Sequence, residues 1–143
     1  MMTRRDYMQE TIVLTNKISE MKRLKGFIAK FGEENHFSRE TIFDTILALE
    51  EIFTNIVHYG FTDTNPHEIV IQIKREAGLC TIRVEDDGKS FNPLKTPEPD
   101  LTKSLEEREG GGLGIYLNRK LMDHLDYERN SGKNILLMKK AVT

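Results

Sequence analysis

The spacing of apolar residues changes period several times along the chain, and each change marks an element. Between Thr11 and Thr15 a short β-branched run reads as a strand, with Asn16 or Ser19 placed to cap the next element. Met21, Leu24, Phe27, Ile28 and Phe31 then recur at helical spacing, with Lys22, Arg23, Lys25 and Lys30 on the outer face and Gly32 as the expected stop. Ser38 is placed to cap a second helix, with Glu40 in its first turn. Its buried stripe is Ile42, Ile46, Leu49, Phe53 and Ile56, and Gly60 with Phe61 suggests a Schellman ending.

Beyond a polar loop the period falls to two. Ile69, Ile71 and Ile73 share one face of a strand, and Cys80, Ile82 and Val84 share one face of the next, with a turn at 76–78. Residues 92–109 are polar, with three prolines and a charged end, and read as a mobile loop. Glycines at 110–114 precede a helix with Leu113, Leu117 and Leu121 in register, and the chain closes as a hairpin around 130–133. Helices grouped against a mainly antiparallel sheet predict a two-layer α+β sandwich, and 143 residues predict one domain, 1–143.

Composition narrows the class. A net charge of −2 carries no clustered basic excess, so no direct nucleic-acid surface is expected. The sole cysteine, Cys80, rules out a disulfide framework or a thiolate metal site. The charged start "MMTRRDYMQE" lacks an apolar signal region, and no apolar run approaches the ~20 residues of a membrane span. The expectation is a soluble cytoplasmic protein with no membrane association.

Three constellations carry candidate chemistry. Glu51 and Asn55 share a face of the second helix, one turn apart. Such a pair is either a solvated surface or a place where a metal ion and phosphate are handled: the amide oxygen suits Mg²⁺, and the carboxylate could take a proton from an attacking hydroxyl. Asp86 follows the parity of Cys80, Ile82 and Val84, so it leaves its strand on the apolar side. An unpaired buried carboxylate is costly, and one placed there can accept a hydrogen bond from an exocyclic amine, with Gly88 letting a flat ring approach the backbone. His58 and Asp87 are nearby in sequence and read as structural or solvated. In "GGGLGIYL", free N–H groups at a helix start attract phosphate. The stretch is neither a Walker A loop nor the dinucleotide fingerprint.

Together and in this order, the three stretches resemble the GHKL (Bergerat-fold) ATPase superfamily of gyrase, MutL and histidine kinase ATP-binding domains. Glu51 and Asn55 match its N box, Asp86-x-Gly88 its first glycine box, and Gly110, Gly111, Gly112, Leu113 and Gly114 its second. Within it the chain is similar to bacterial anti-sigma-factor serine/threonine kinases, from about residue 10 to 140. The resemblance implies Glu51 as catalytic base, Asn55 as Mg²⁺ ligand, Asp86 as adenine reader and Gly112 and Gly114 as phosphate-loop glycines. It also implies ATP as substrate, a serine or threonine of an anti-anti-sigma partner as acceptor, a sequestered sigma factor, and a homodimer. Two positions depart from the pattern. Ser90 stands where the first glycine box usually has a second glycine, and Asn134 stands where a small hydroxyl residue is frequent; Asn134 can still hydrogen-bond, and the resemblance implies it as an ATP-binding residue. An ATP-gated binding module without phosphotransfer and a detached histidine-kinase-like ATP-binding domain are the rival readings.

Overall fold

A computed structural model of the chain describes residues 7–95 and 118–142. Five strands form one antiparallel sheet: β1 (Tyr7–Thr15), β2 (Glu68–Glu76), β3 (Leu79–Asp86), β4 (His124–Asn130) and β5 (Lys133–Ala141), in the order β1-β2-β3-β5-β4. Helices α1 (Met21–Glu34) and α2 (Arg39–Tyr59) cover one face, and residues 118–121 add a helical turn. The two-layer α+β arrangement expected from the apolar periods is the one observed.

Alternation decides which face is covered. Ile69, Ile71 and Ile73 of β2 and Cys80, Ile82 and Val84 of β3 are all buried, and they meet Leu24, Ile28 and Phe31 of α1 and Leu49 and Phe53 of α2 in one core. β1 begins at Tyr7, four residues before the β-branched run; Gln9 and Glu10 are exposed on an edge strand, where polar residues cost little. Two-residue turns join β2 to β3 at Ala77–Gly78 and β4 to β5 at Ser131–Gly132.

Both helix ends differ in mechanism from the expectation. Helix α1 does not stop at Gly32 but runs to Glu34. Asn35 ends it, its amide donating to the Phe31 carbonyl at 2.8 Å, and His36 takes the left-handed conformation at φ 59°. Gly32 serves packing instead: a Cβ there would stand 2.5 Å from Ile42 Cγ1, so its absence lets α1 and α2 close together. Ser38 caps α2 as its sequence position suggests, its hydroxyl accepting the Thr41 N–H at 3.0 Å. Gly60 ends α2 with right-handed angles (φ −78°, ψ −23°), so the ending is not a Schellman motif. Among the described residues, no helix is long and apolar enough to cross a membrane.

Candidate functional site

The C-terminal half of α2 and the ends of β3, β4 and β5 enclose a cavity of about 200 Å³. Ile52, Asn55, Ile56 and Tyr59 line it from α2, Val84 and Asp86 from β3, and Lys89, Phe91 and Pro93 from the segment after that strand. Tyr127, Asn134 and Leu136 close the far side. Apolar walls with a few fixed polar groups are the usual make-up of a small-molecule site.

Asp86 occupies the place its parity assigned, only 5% exposed. Burial holds its carboxyl above the ordinary carboxylate range, while hydrogen bonds from Asn134 and the Gly88 N–H oppose that rise. Both bonds end on Oδ1: Gly88 N at 2.8 Å and Asn134 Nδ2 at 3.1 Å. The pairing of β3 with β5 sets Asp86 directly opposite Asn134, which is why these two residues meet.

Asn55 reaches the cavity wall; Glu51, one turn earlier on α2, is half-buried and stands outside that wall. The offset along the helix is about 6 Å. Gly88 is buried, and the close approach it permits is to α2 rather than to the open cavity. A Cβ at 88 would lie 2.4 Å from the Gly60 carbonyl oxygen, which accepts the Lys89 N–H at 2.8 Å. Ser90 is exposed. Gly110, Gly111, Gly112, Leu113 and Gly114, the helix start expected at Leu113 and Leu117, and the loop beyond Lys95 lie outside the described residues. Pro93–Lys95 forms a single 3₁₀ turn.

Two features escape sequence reasoning. Tyr127 donates its hydroxyl to Asn134 Oδ1 at 2.5 Å, and Arg129 donates to the Gly88 carbonyl at 2.8 Å; only the register of β4 on β5 brings them there. The second is the surround of His67. Its ring stacks on Phe61 with centroids 4.2 Å apart, Nε2 lies 2.7 Å from Asp63 and Nδ1 lies 3.1 Å from Asp87. His58, by contrast, is exposed.

A cavity between a helix and an antiparallel sheet, with a buried carboxylate on one wall and an Asn on the facing helix, defines a two-layer ligand-binding α+β domain. The chain belongs to the histidine kinase-like ATPase domain family, which matches residues 14–140. It is 29% identical over 104 residues to serine/threonine-protein kinase BtrW of Bordetella bronchiseptica, covering 73% of each chain. It is 30% identical over 121 residues to serine-protein kinase RsbW of Listeria monocytogenes, covering 81% of this chain and 74% of that one. The fold matches the crystal structure of the RsbU and RsbW domains of Rv1364c from Mycobacterium tuberculosis, with a TM-score of 0.70 at 14% identity. That match covers 94% of this chain and 32% of that longer one.

Proposed function

We propose that the chain is a cytoplasmic serine/threonine protein kinase acting as one domain, 1–143. In this reading it transfers the γ-phosphoryl of Mg-ATP to a serine or threonine of a small anti-anti-sigma-like protein, and as a homodimer it holds a sigma factor out of action. The observation that carries the reading is the joint placement of Asn55 and Asp86 on facing walls of one cavity, with Glu51 one turn from Asn55. The names of the relatives, serine or serine/threonine kinases, support the choice of acceptor.

In this reading Asp86 accepts the 6-amino group of adenine against the apolar surface of Ile52, Val84 and Leu136. Among the described residues, no group of three or more His, Cys, Asp or Glu side chains could hold a metal ion unaided. A single amide oxygen from Asn55 fits Mg²⁺, which takes few protein ligands and completes its shell with water and phosphate oxygens. Bound with ATP, the ion would neutralise phosphate charge during transfer. Glu51 takes the proton of the acceptor hydroxyl as its oxygen bonds to the γ-phosphorus and ADP leaves. Gly110–Gly114 hold the phosphates through backbone N–H groups. Asn134 serves the base indirectly, through Asp86.

The test is Glu51→Gln, which keeps size and hydrogen bonding but accepts no proton at neutral pH. Phosphorylation of a purified anti-anti-sigma-domain protein should fall ~10²–10⁴-fold in single turnover, with ATP affinity and melting temperature unchanged. A folded, ATP-binding variant with near-normal transfer rules out Glu51 as base. A parent protein that binds ATP and partner but transfers nothing makes the chain a binding module.

A further inference from the structure

The side-chain amide of Asn134 has every hydrogen-bonding position occupied. Its Nδ2 donates to Asp86 Oδ1 at 3.1 Å and to the Lys89 carbonyl at 2.9 Å. Its Oδ1 accepts the Tyr127 hydroxyl at 2.5 Å and the Phe91 N–H at 3.4 Å. A primary amide offers two donors and two lone pairs, so nothing remains for a ligand. The amide also has only one workable orientation. Turned over, its oxygen would face a carboxylate and a carbonyl, and its NH₂ would face a backbone N–H.

The consequence falls on Asp86. Two donors occupy Oδ1, and among the described residues no group bonds Oδ2, while the residue itself lines the cavity. The carboxylate therefore presents one defined oxygen to whatever enters. The same amide pins Lys89 and Phe91, two residues of the cavity wall.

We infer that Tyr127 is a positioning residue for base recognition: its hydroxyl fixes the Asn134 amide, which in turn fixes Asp86 with one oxygen facing the ligand. The inference rests on the adenine reading of Asp86 under the proposed function. Asn134 acts behind Asp86 rather than on the base, and Tyr127 acts behind Asn134. Loss of the hydroxyl frees Asn134 Oδ1 from its shortest bond, and the pull that orients Asp86 weakens.

The test is a cycle between Tyr127→Phe and removal of the 6-amino group from the ligand. Calorimetry on the full chain compares ATP with purine riboside triphosphate, which lacks that group, for parent and variant. ATP affinity should fall about threefold to tenfold in Tyr127→Phe, as expected for one neutral hydrogen bond. Purine riboside triphosphate should lose less, so that the advantage conferred by the amino group shrinks by about threefold. Equal weakening of both ligands, with or without a lower melting temperature, marks a merely structural tyrosine and overturns the inference. So does unchanged affinity for both. A parent that binds ATP without favouring it over the 6-deamino ligand overturns the adenine reading of Asp86 and this inference with it. A parent that binds neither nucleotide overturns the proposed function as well.

Discussion

His67 Nδ1 lies 3.1 Å from Asp87 Oδ1, and Asp87 is the chain neighbour of the carboxylate that faces the cavity. The contact ties the segment after α2 to the end of β3. A second tie joins the same residue to the end of β1: Asn16 N donates to the His67 carbonyl at 3.0 Å, and His67 N donates to the Asn16 side-chain Oδ1 at 2.9 Å.

The imidazole contact gives a pH dependence of stability. The hydrogen bond to Asp63, and next that to Asp87, raise the His67 pKa above its ordinary 6.5 against the opposing effect of burial. A group with a raised folded pKa contributes stability that is fully present below its unfolded value and is lost as pH rises through the folded one. The part of the melting temperature that His67 supplies should therefore fall as pH rises from its ordinary 6.5 through the raised folded value. His67→Gln should remove that part of the slope, which thermal melts of parent and variant across the range will show. A variant with the parent's slope would clear His67 of the effect.

Asp86→Asn should separate binding from folding. Burial raises the Asp86 pKa, so its contribution to stability is present below 3.8 and lost as pH rises through the folded value. At pH 7 the charge is a cost to the fold, and an amide keeps an oxygen for the Gly88 and Asn134 donors. The variant should melt at or above the parent temperature while ATP affinity drops about tenfold to a hundredfold, the range for a charge-assisted hydrogen bond. Differential scanning fluorimetry and calorimetry on the same preparation measure both. A variant that binds ATP as the parent does would remove Asp86 from base recognition.

Gly88→Ala should destabilise by about 1–3 kcal/mol in urea unfolding. The added carbon meets the Gly60 carbonyl oxygen at 2.4 Å and Asp86 Oδ1 at 2.8 Å. Backbone on one side and the pinned carboxylate on the other leave it no soft neighbour to displace. An unaltered unfolding midpoint would mean the β3 end moves away freely.

Cys80 should stay unmodified by a thiol reagent until the whole domain unfolds. Burial pushes its thiol up to about 12, so almost no thiolate is present at neutral pH. Labelling that saturates well below the urea midpoint would show that β3 opens locally.

The core was legible because burial follows period. The alternation in 69–73 and 80–84 placed β2 and β3 and aimed Asp86 inward. Asn55 lies off the apolar stripe of α2, so that stripe did not announce its place on the cavity wall. The cap at Ser38 was legible because its chemistry is local. Gly32 was misread because a glycine that ends a helix and one that lets two helices touch look alike in sequence; only the position of Ile42 distinguishes them. The contacts of His67 with Asp87, 20 residues away, and of Tyr127 with Asn134 depend on strand register and loop course, which no local pattern encodes. Asn134 entered the site reading only through the family resemblance.

The β3–β5 pairing has a consequence for the order in which the molecule is built. Asp86 and Asn134 are 48 residues apart in sequence, and β5 is the last strand in the chain yet sits between β3 and β4. Closing so long a loop is entropically slow compared with forming α1, α2 or the β2–β3 hairpin. The far wall of the cavity therefore exists only once the C-terminal hairpin has docked. A ligand gripped between those walls binds the finished chain and not a folding intermediate, so its mass action deepens the native basin without trapping the states before it.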